Sequence, residues 1–587
     1  MNPARTKELA LAMAAFPSVT DSEGETRFAF FLCDMLAGWP YFKAHPDRIM
    51  LVRTRDDPCE RYIIAACVSS QSDIVGSAGD RAIILTGHYD VVSVSSFGLL
   101  APWAFDPPAL VPLLLETLER ERDLAAARGE SLGDTASRAL DDLRSGEFLP
   151  GRGLLDMKAG LAAGLALLED SAVKAMSGES GTNGALVFLA VPDEEGSSHG
   201  MLSAIHEMPG ILDGWGVEPV AAINLDAAVD QGDGAAGRAV FLGSVGKLHP
   251  FALFVGCPTH AGSPFDGINP ALLAAEYARN IECAPDVFDQ PRGAVSGSSH
   301  EPPSPPTILY YRELRDRYDV TTPDSVFVSV NVLTHRDGPA EVLDTVSRLA
   351  AAAMASAMDR LRERAVAFSQ ASGRDFAIPD RSALIVPWAG LEKKALEADG
   401  PALERAQAAA ATATDRMAAL AALAAEAVRI AGLEGPAAVI GLAPPYYPRA
   451  SLDMDRDGSL IAAVESVVAS MARDGLGDIV MRPFFPGISD MSFLYPDDDE
   501  GTRLLAAAAC PLGLDPLPSG FACPVVNIGP WGREYHQRLE RMHASYAFET
   551  LPDLLERVVT EIFKSAKQHW SRAIRKDCRR LGVGGLS

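Results

Sequence analysis

Runs of consecutive apolar residues mark the predicted core strands of the chain. The runs at 82–85, 184–191 and 220–225 contain few polar side chains, a pattern typical of strands covered on both faces of a parallel sheet. The segments 247–256 and 325–332 instead alternate apolar and polar residues, which predicts antiparallel strands with one solvated face. The pattern therefore predicts an α/β protein with a mixed, mainly parallel sheet flanked by helices, followed by an α+β region.

Two helical stretches are predicted in addition to the strands and helices that would form these sheets. The region 97–150 holds several prolines and then a charged helical stretch, and we interpret it as an insertion, either a solvated helical flap or a substrate lid. The Ala-rich region 390–433 predicts one or two long helices, which would form an added helical hairpin or an oligomer contact. A Pro- and Ser-rich segment at 289–306 predicts a mobile loop.

The bulk composition narrows the classes of function. A length of 587 residues predicts two or more domains, and a net charge of −26 argues against a surface for nucleic acid or an anionic membrane. None of the eight cysteines lies in a Cys-x-x-Cys pair, so neither a zinc knuckle nor a thioredoxin-like motif is predicted. The first residues lack a signal-peptide pattern and no apolar run could span a membrane, so we expect a cytoplasmic protein with reduced thiols.

Candidate metal ligands follow apolar strands or precede helices. They are His88, Asp90, Asp156, Glu194, Glu195 and Asp226, with His536 much later. Imidazole and carboxylate donors together suit zinc, or manganese or cobalt in its place, and do not suit calcium. Two ions about 3.5–4 Å apart would need a bridging carboxylate, and the glycine-flanked turn at Asp156 could present both of its oxygens.

The adjacent acids Glu194 and Glu195 are the sharpest local feature of this set. Neighbouring carboxylates at a strand end repel each other unless a cation is present, although such a pair alone is more often solvated. Successive side chains diverge, so we assign Glu195 to the metal and Glu194 as the general base. Asp90 lies two positions after His88 on the same side of an extended chain, where it could fix the tautomer of that imidazole.

Further motifs support this interpretation. In chain order they are His88-Tyr-Asp90, Asp156-Met-Lys158, Glu194-Glu-Gly196, Asp226, Thr259-His-Ala-Gly-Ser-Pro264, Asn269-Pro270, Ser489-Asp490 and Gly529-Pro-Trp-Gly-Arg-Glu-Tyr-His536 with Glu540. Together they resemble the zinc-dependent aminoacylase/carboxypeptidase metallopeptidase family, which includes glutamate carboxypeptidase, succinyl-diaminopimelate desuccinylase and peptidase T. The length, the insertions and the segment Ala443-Pro-Pro-Tyr-Tyr-Pro448 look closest to the branch of the arginine-degradation protein RocB.

The resemblance implies two metal sites that share one aspartate. The first would use His88, Asp156 and Asp226, and the second would use Asp156, Glu195 and His536. Asp90 would support His88.

It also implies three domain segments. Residues 1–245 and 450–587 would form the catalytic domain, and 246–449 would form an inserted α+β lid that mediates homodimerisation. In that lid, His260 is similar to a histidine that helps to hold the oxyanion, and Asn331 lies on a strand that contacts substrate in family members.

Two departures from the family pattern leave alternatives open. His88 and Asp156 are 68 positions apart, longer than usual, because the region 97–150 lies between them. Asp226 lacks the usual Gly-Glu-Pro context, so Asp230 is a rival ligand. His543 likewise competes with His536, which we prefer because a Gly-Pro-x-Gly turn precedes it.

The function that the resemblance implies is cleavage of an amide or peptide bond in a small amino-acid derivative or short peptide. Two divalent ions, zinc or alternatively cobalt or manganese, would activate the attacking water, with Glu194 moving its proton. The alternative is a catalytically silent metal- or ligand-binding member of the same fold with a regulatory role. A serine esterase is not predicted, because no Gly-x-Ser-x-Gly elbow is present.

Overall fold

The computed structural model describes residues 2–69, 80–178, 184–229, 238–289, 303–315, 319–413, 415–477, 479–513 and 521–580, with side chains up to residue 565. The described chain divides into two compact units. Unit 1 comprises 1–244, 450–496 and 517–587, and unit 2 comprises 245–449 and 497–516. Among the described residues, no helix combines the length and apolar character needed to cross a bilayer.

Unit 1 is built on an eight-stranded sheet. Its strands are β1 (Ile49–Arg53), β2 (Tyr62–Val68), β3 (Asp80–His88), β5 (Ala185–Val191), β6 (Val217–Asn224), β8 (Ala239–Phe241), β16 (Val480–Arg482) and β17 (Val525–Asn527). They lie in the order β1-β2-β5-β3-β6-β17-β8-β16. The central neighbours β5, β3, β6 and β17 are parallel, and β1, β2 and β5 pair antiparallel. The mixed, mainly parallel sheet predicted from the apolar runs is therefore confirmed.

Unit 1 also contains helices and short strands outside this sheet. The helices are α1 (Pro3–Ala14), α2 (Glu23–Ala37), α3 (Pro40–Ala44), α4 (Pro107–Ala127), α5 (Asp134–Ser145), α6 (Ala159–Ser177), α7 (His199–Trp215), α12 (Met454–Arg473), α13 (Met491–Leu494) and α15 (Leu551–Arg580). The short strands are β4 (Phe148–Pro150), β7 (Ala228–Val229), β9 (Gly243–Ser244), β15 (Ala450–Ser451), β18 (Trp531–Arg533) and β19 (Arg541–His543).

The small residues of α6 let it lie close to the sheet. A Cβ on Gly160 would come within 2.0 Å of the backbone oxygen of Leu225, so only glycine permits this approach. The same contact fixes the start of α6 beside the end of β6. The turn that precedes α6 is thereby held at the carboxyl edge of the parallel strands.

The helical stretch expected across the charged part of 97–150 is two helices, not one. The chain leaves the helix after Ala127 and re-enters it at Asp134. The first helix begins at Pro107, because Pro107 and Pro108 can occupy first-turn positions that need no amide donor. Asp106 caps this end by accepting a hydrogen bond from the amide of Ala109 at 3.2 Å.

Unit 2 is an α+β structure around a five-stranded sheet. The strands are β10 (Gly246–Val255), β11 (Thr307–Glu313), β12 (Ser325–Thr334), β13 (Leu384–Pro387) and β14 (Ala437–Tyr447), in the order β11-β12-β10-β14-β13. All neighbours are antiparallel except β13 and β14. The helices are α8 (Pro270–Ile281), α9 (Pro339–Ser372), α10 (Trp388–Ala411), α11 (Arg416–Ile430) and α14 (Glu500–Ala508).

Both faces of the second sheet are covered by helices. Helices α8 and α9 share one apolar cluster with β10, β12 and β14. The pair α10 and α11, which accounts for the predicted helices at 390–433, shares a second cluster with Phe251, Leu253 and Phe327. The predicted loop at 289–306 lies mostly outside the described residues.

Candidate metal centre

Three adjacent parallel strands of unit 1 deliver candidate ligands at one edge of the sheet. β3 ends at His88, the turn after β5 carries Glu194 and Glu195, and Asp226 follows β6. Because β5, β3 and β6 are parallel neighbours, their carboxyl ends meet, as is usual for ligand sites in open α/β sheets.

Asp156 and His536 reach the same place from irregular segments. Asp156 lies in the distorted helical turn Leu154–Lys158 before α6, and the Asp156–Met157 peptide is cis. His536 lies between β18 and β19 with a φ of 64°. The nearby backbone amide of His88 points at the sulfur of Met157, at 3.2 Å, so β3 and this turn are in direct contact.

Asp156 stands between the two histidines. Its Oδ1 lies 3.2 Å from Nε2 of His88, and its Oδ2 lies 3.0 Å from Nε2 of His536. Nε2 of His536 is also 2.8 Å from Oε1 of Glu195. Nε2 of His88 is 3.8 Å from Oδ1 of Asp226 and 3.9 Å from Oε2 of Glu194.

These atoms form sets that could each hold a metal ion. One is His88, Asp156 and Asp226, another is Asp156, Glu195 and His536, and a third joins His88 with Glu194 and Glu195; within each set the ligand atoms lie within 4.8 Å of one another. The first two sets have the composition implied by the family resemblance. Mixed imidazole and carboxylate donors of this kind suit zinc, manganese or cobalt.

The charge balance of the cluster fits the binding of cations. Burial opposes charging of the imidazoles, yet Asp156 and Glu195 raise the pKa of His536 to about 10. The pKa of His88 is also raised well above its usual value, because hydrogen bonds to Asp156 and Asp226 outweigh its burial. The ligand sets thus contain four carboxylates but only two imidazoles. Divalent ions would supply the missing positive charge.

Glu194 differs from the other acids in its surroundings. Burial raises the pKa of its carboxyl group well above the ordinary value, and the charges of Asp226 and Glu195 add to that shift while His88 opposes it. A carboxyl group that favours its proton is suited to accept and return one.

Asp90 connects the ends of β3 and β5 through hydrogen bonds. Its Oδ1 accepts the amide of Glu194 at 3.1 Å, and its Oδ2 accepts the amide of Glu195 at 3.2 Å. The hydroxyl of Thr20 donates to Oδ2 at 3.0 Å. Nδ1 of His88 lies 3.0 Å from the backbone carbonyl of Asp90 and 3.5 Å from its carboxylate. Asp90 therefore contacts the histidine chiefly through its backbone and both glutamate amides through its side chain.

A buried arginine that the sequence did not single out holds the turn after β5. Arg61 donates to Asp193 at 2.6 Å and to Asp57 at 2.7 Å. Asp193 has a φ of 67° and accepts both the backbone amide and Nδ1 of His199. Arg61 is 2% exposed, so a largely buried charge network anchors the turn that presents Glu194. Arg61 follows a polar loop and directly precedes β2, so no local signal marks it.

Asn527 performs the corresponding role for Asp226. Its Oδ1 accepts the Asp226 amide at 3.1 Å, and its Nδ2 donates to the Asp226 carbonyl at 2.9 Å. Asn224 donates to Asn527 at 3.0 Å and to Ser489 at 2.8 Å, so the Ser489-Asp490 motif supports the backbone beside the site.

Glu540 links the two irregular segments. It forms a buried ion pair with Arg152, and it accepts the amides of Gly153 at 3.1 Å and His536 at 3.2 Å. One carboxylate therefore connects the turn that leads to Asp156 with the segment that carries His536.

Among the described residues, the other predicted site residues do not belong to these ligand sets. His260 is exposed in unit 2, where its Nδ1 accepts the amide of Gly262 at 3.0 Å. Asn331 is half-buried on β12, opposite Thr307. The rival ligand His543 stacks on Trp531 with a centroid distance of 4.8 Å, and Asp230 lies outside the described residues.

Two Bacillus subtilis proteins are similar over nearly the whole chain. The uncharacterised protein YqjN is 28% identical over 95% of this chain and 96% of its own length. RocB is 24% identical over 96% of both chains.

Two solved structures match the chain at low identity and with TM-scores just under 0.5. A metallo-carboxypeptidase from Sulfolobus solfataricus matches with a TM-score of 0.49 and 11% identity over 95% of this chain and 99% of that one. A tripeptidase from Staphylococcus aureus matches with a TM-score of 0.48 and 13% identity over 96% and 99%. The model of peptidase family M20/M25/M40 matches residues 139–500, more than half of the chain. The expected family is thus confirmed: the chain belongs to peptidase family M20/M25/M40.

Proposed function

We propose that this family member is a dinuclear metal-dependent hydrolase that cleaves an amide or peptide bond in a small amino-acid derivative or a short peptide. The observation that carries the proposal is the position of Asp156, whose two oxygens lie 3.2 and 3.0 Å from the imidazoles of His88 and His536. A carboxylate between two donor sets is the bridge that a two-metal hydrolase requires.

The ligand roles follow from the two sets that share Asp156. His88 and Asp226 would complete the first site, and Glu195 and His536 would complete the second. When bound, two divalent ions would supply the positive charge that lowers the pKa of a water molecule and polarises the scissile carbonyl.

Glu194 is the proposed general base. Its carboxylate lies 3.9 Å from Nε2 of His88 and is 11% exposed. It would take the proton from the attacking water and return it to the leaving nitrogen as the amide bond breaks. Asp90 would hold the backbone of Glu194 in place throughout, because its Oδ1 accepts that amide. Removal of the Glu194 charge should therefore reduce turnover without removing the metals.

The finer points remain predictions. Zinc is our preferred metal, with cobalt or manganese as alternatives. The resemblance of the sequence to the branch of the arginine-degradation protein RocB leads us to propose arginine- or ornithine-related substrates. Oxyanion binding by His260, substrate contact by Asn331, homodimerisation through the lid domain and cytoplasmic location rest on the sequence alone.

Metal content measured by elemental mass spectrometry tests the proposal. We expect about two ions per chain in the wild type, and a sharp loss in a His88→Ala, Glu195→Ala double variant. A His206→Ala, Glu207→Ala variant is the matched control, since it removes an exposed His–Glu pair of the same unit and should keep both ions.

The metal-loaded protein should then hydrolyse members of a panel of dipeptides and N-acyl amino acids. A wild type that binds no metal even after reloading would contradict the hydrolase mechanism. Metal binding without any hydrolysis would favour the silent binding protein instead.

A further inference from the structure

Helices α4 and α5 are not part of the layers around the central sheet. They pack against the segment that carries His536. We call residues 107–145, which contain α4 and α5, the helical insertion, and residues 531–543 the His536 segment. Both belong to unit 1. They are in contact through two groups of charged residues and one apolar cluster.

Asp142 on α5 makes the most buried of these contacts. Nη1 of Arg533 donates to both oxygens of Asp142, at 2.7 and 2.6 Å, and Nε of Arg541 donates to Oδ2 at 2.8 Å. Arg541 is fully buried, and Asp142 is 13% exposed. One aspartate of the helical insertion therefore holds two arginines that lie on either side of His536.

Glu121 on α4 makes the second charged contact. Its two oxygens accept Nη1 and Nη2 of Arg538, at 2.6 and 3.0 Å. This is the bidentate geometry that gives arginine–carboxylate pairs their directionality. Both side chains are about one-third exposed, so this pair contributes less than the pair around Asp142.

Leu539 makes the apolar contact. It is buried in a cluster with Leu114 and Leu118 of α4 and Leu140 and Leu143 of α5. The other members of this cluster within the described residues come from 100–143. The leucines of the helical insertion thus bury Leu539, which lies three positions after His536.

These contacts bear on His536 because strand pairing does not hold it. Residues 534–540 lie between β18 and β19, and His536 itself has a φ of 64°. A solvated flap would not bury four leucines, and a moving lid would have to break both charged groups and the apolar cluster each time it opened.

We propose that the helical insertion positions His536 for the second metal site, with Asp142 and Glu121 as positioning residues. This inference rests on the proposed function, because it assigns the helical insertion to the site that uses Asp156, Glu195 and His536. It replaces both earlier interpretations of the insertion, as a solvated flap and as a substrate lid.

Zinc titration of the metal-free protein, followed by equilibrium dialysis, tests the proposal. Residues that support a metal ligand typically change affinity by about 10–100-fold. We expect Asp142→Asn to weaken one of the two zinc ions by about tenfold and the other by less than about twofold. Glu121→Gln should weaken the same ion by about threefold, because its pair is more exposed.

The chain offers matched controls. Asp141→Asn alters the exposed neighbour of Asp142 on the same helix. Glu119→Gln breaks a pair with Arg144 that lies wholly within the helical insertion. Both should bind zinc as the wild type does. The reversed pair Glu121→Arg with Arg538→Glu should regain most of the affinity that Arg538→Glu alone loses.

A second readout needs no metal. Hydrogen–deuterium exchange of the metal-free protein should show faster exchange at 531–543 in Asp142→Asn, with β3 unchanged. Equal weakening of both ions, or affinities and exchange like those of the wild type, would overturn the positioning role while leaving the hydrolase intact. A wild type that binds no zinc would instead overturn the proposed function together with this inference.

Discussion

His88 and His536 reach the shared Asp156 from regions that are built in different ways. His88 ends a buried strand whose parallel neighbours also present Glu194 and Asp226, so backbone hydrogen bonds of the sheet set that half of the site. His536 lies outside any strand. Its amide donates to the nearby Glu540, and the neighbouring Arg541 donates to Asp142 from a distant part of the chain. The comparison teaches that one half of the site follows from strand pairing in the sheet, whereas the other depends on side-chain contacts between segments that are remote in sequence.

The half of the site that the parallel strands form is called the sheet side below. The largest expected effect lies there and concerns catalysis alone. Glu194→Gln removes the proposed base but keeps its size, and the loss of general-base catalysis should lower kcat by about 10²–10⁴-fold. Metal content should stay at the wild-type level, since the two sets that share Asp156 do not include Glu194. Steady-state kinetics with parallel elemental analysis measures both. A variant with near wild-type kcat would remove Glu194 from the mechanism.

The next effect tests how firmly the sheet side is anchored. Arg61→Met leaves the buried carboxylates of Asp193 and Glu25 without their cation, and breaking a buried pair in this way costs about 3–5 kcal/mol. The free energy of unfolding, measured with urea on the metal-free protein, should fall by that amount. Arg55→Met, which loses only exposed contacts to His206 and Glu207, is the control and should cost less than about 1 kcal/mol.

Asp90→Asn tests whether the sheet side acts as one unit. The amide can accept only one of the two backbone amides that Asp90 holds, and it also loses the charge beside His88. We expect both metal ions to bind about 10–100-fold more weakly, because Glu195 and His88 belong to different sites. Zinc competition against a chelator measures this loss. Weakening of one ion alone would show that the two strand ends are independent.

A smaller effect, selective for one metal ion, is expected in the half of the site that contains His536. Glu540→Gln removes the charge opposite Arg152 and weakens the acceptor for the amide of His536. The ion held by His536 should bind about tenfold more weakly, while the ion held by His88 and Asp226 should be little changed. The same zinc competition separates the two. Equal loss at both sites would mean that Glu540 acts through the turn at Asp156 instead.

The sequence predicted the sheet side well because its signals are local. A continuous apolar run followed by His88 and Asp90, or by two adjacent glutamates, can be interpreted without knowing any distant contact. The pattern also included Asp226 and His536, whose own surroundings carry weaker signals, and the family resemblance then assigned each of them to a metal site. The structure brings all of these residues together, with Asp156 between the histidines.

The supporting residues could not be predicted because their partners are remote in sequence. Arg61 and Asp193 are 132 positions apart, and Arg533 and Asp142 are 391 positions apart. The charge on α4 and α5 suggested a solvated surface, yet a leucine stripe and two acids of that region face the His536 segment. Charged residues along a helix therefore predict a solvent-exposed surface only when no oppositely charged partner lies elsewhere in the chain.

Anomalous X-ray diffraction at the zinc edge, from crystals of the zinc-loaded protein, tests the central claim most directly. The account predicts two peaks about 3.5–4 Å apart, one beside His88 and Asp226 and the other beside Glu195 and His536, with Asp156 between them. A single peak, or no peak at these residues, would contradict the two-metal site on which the proposed function rests.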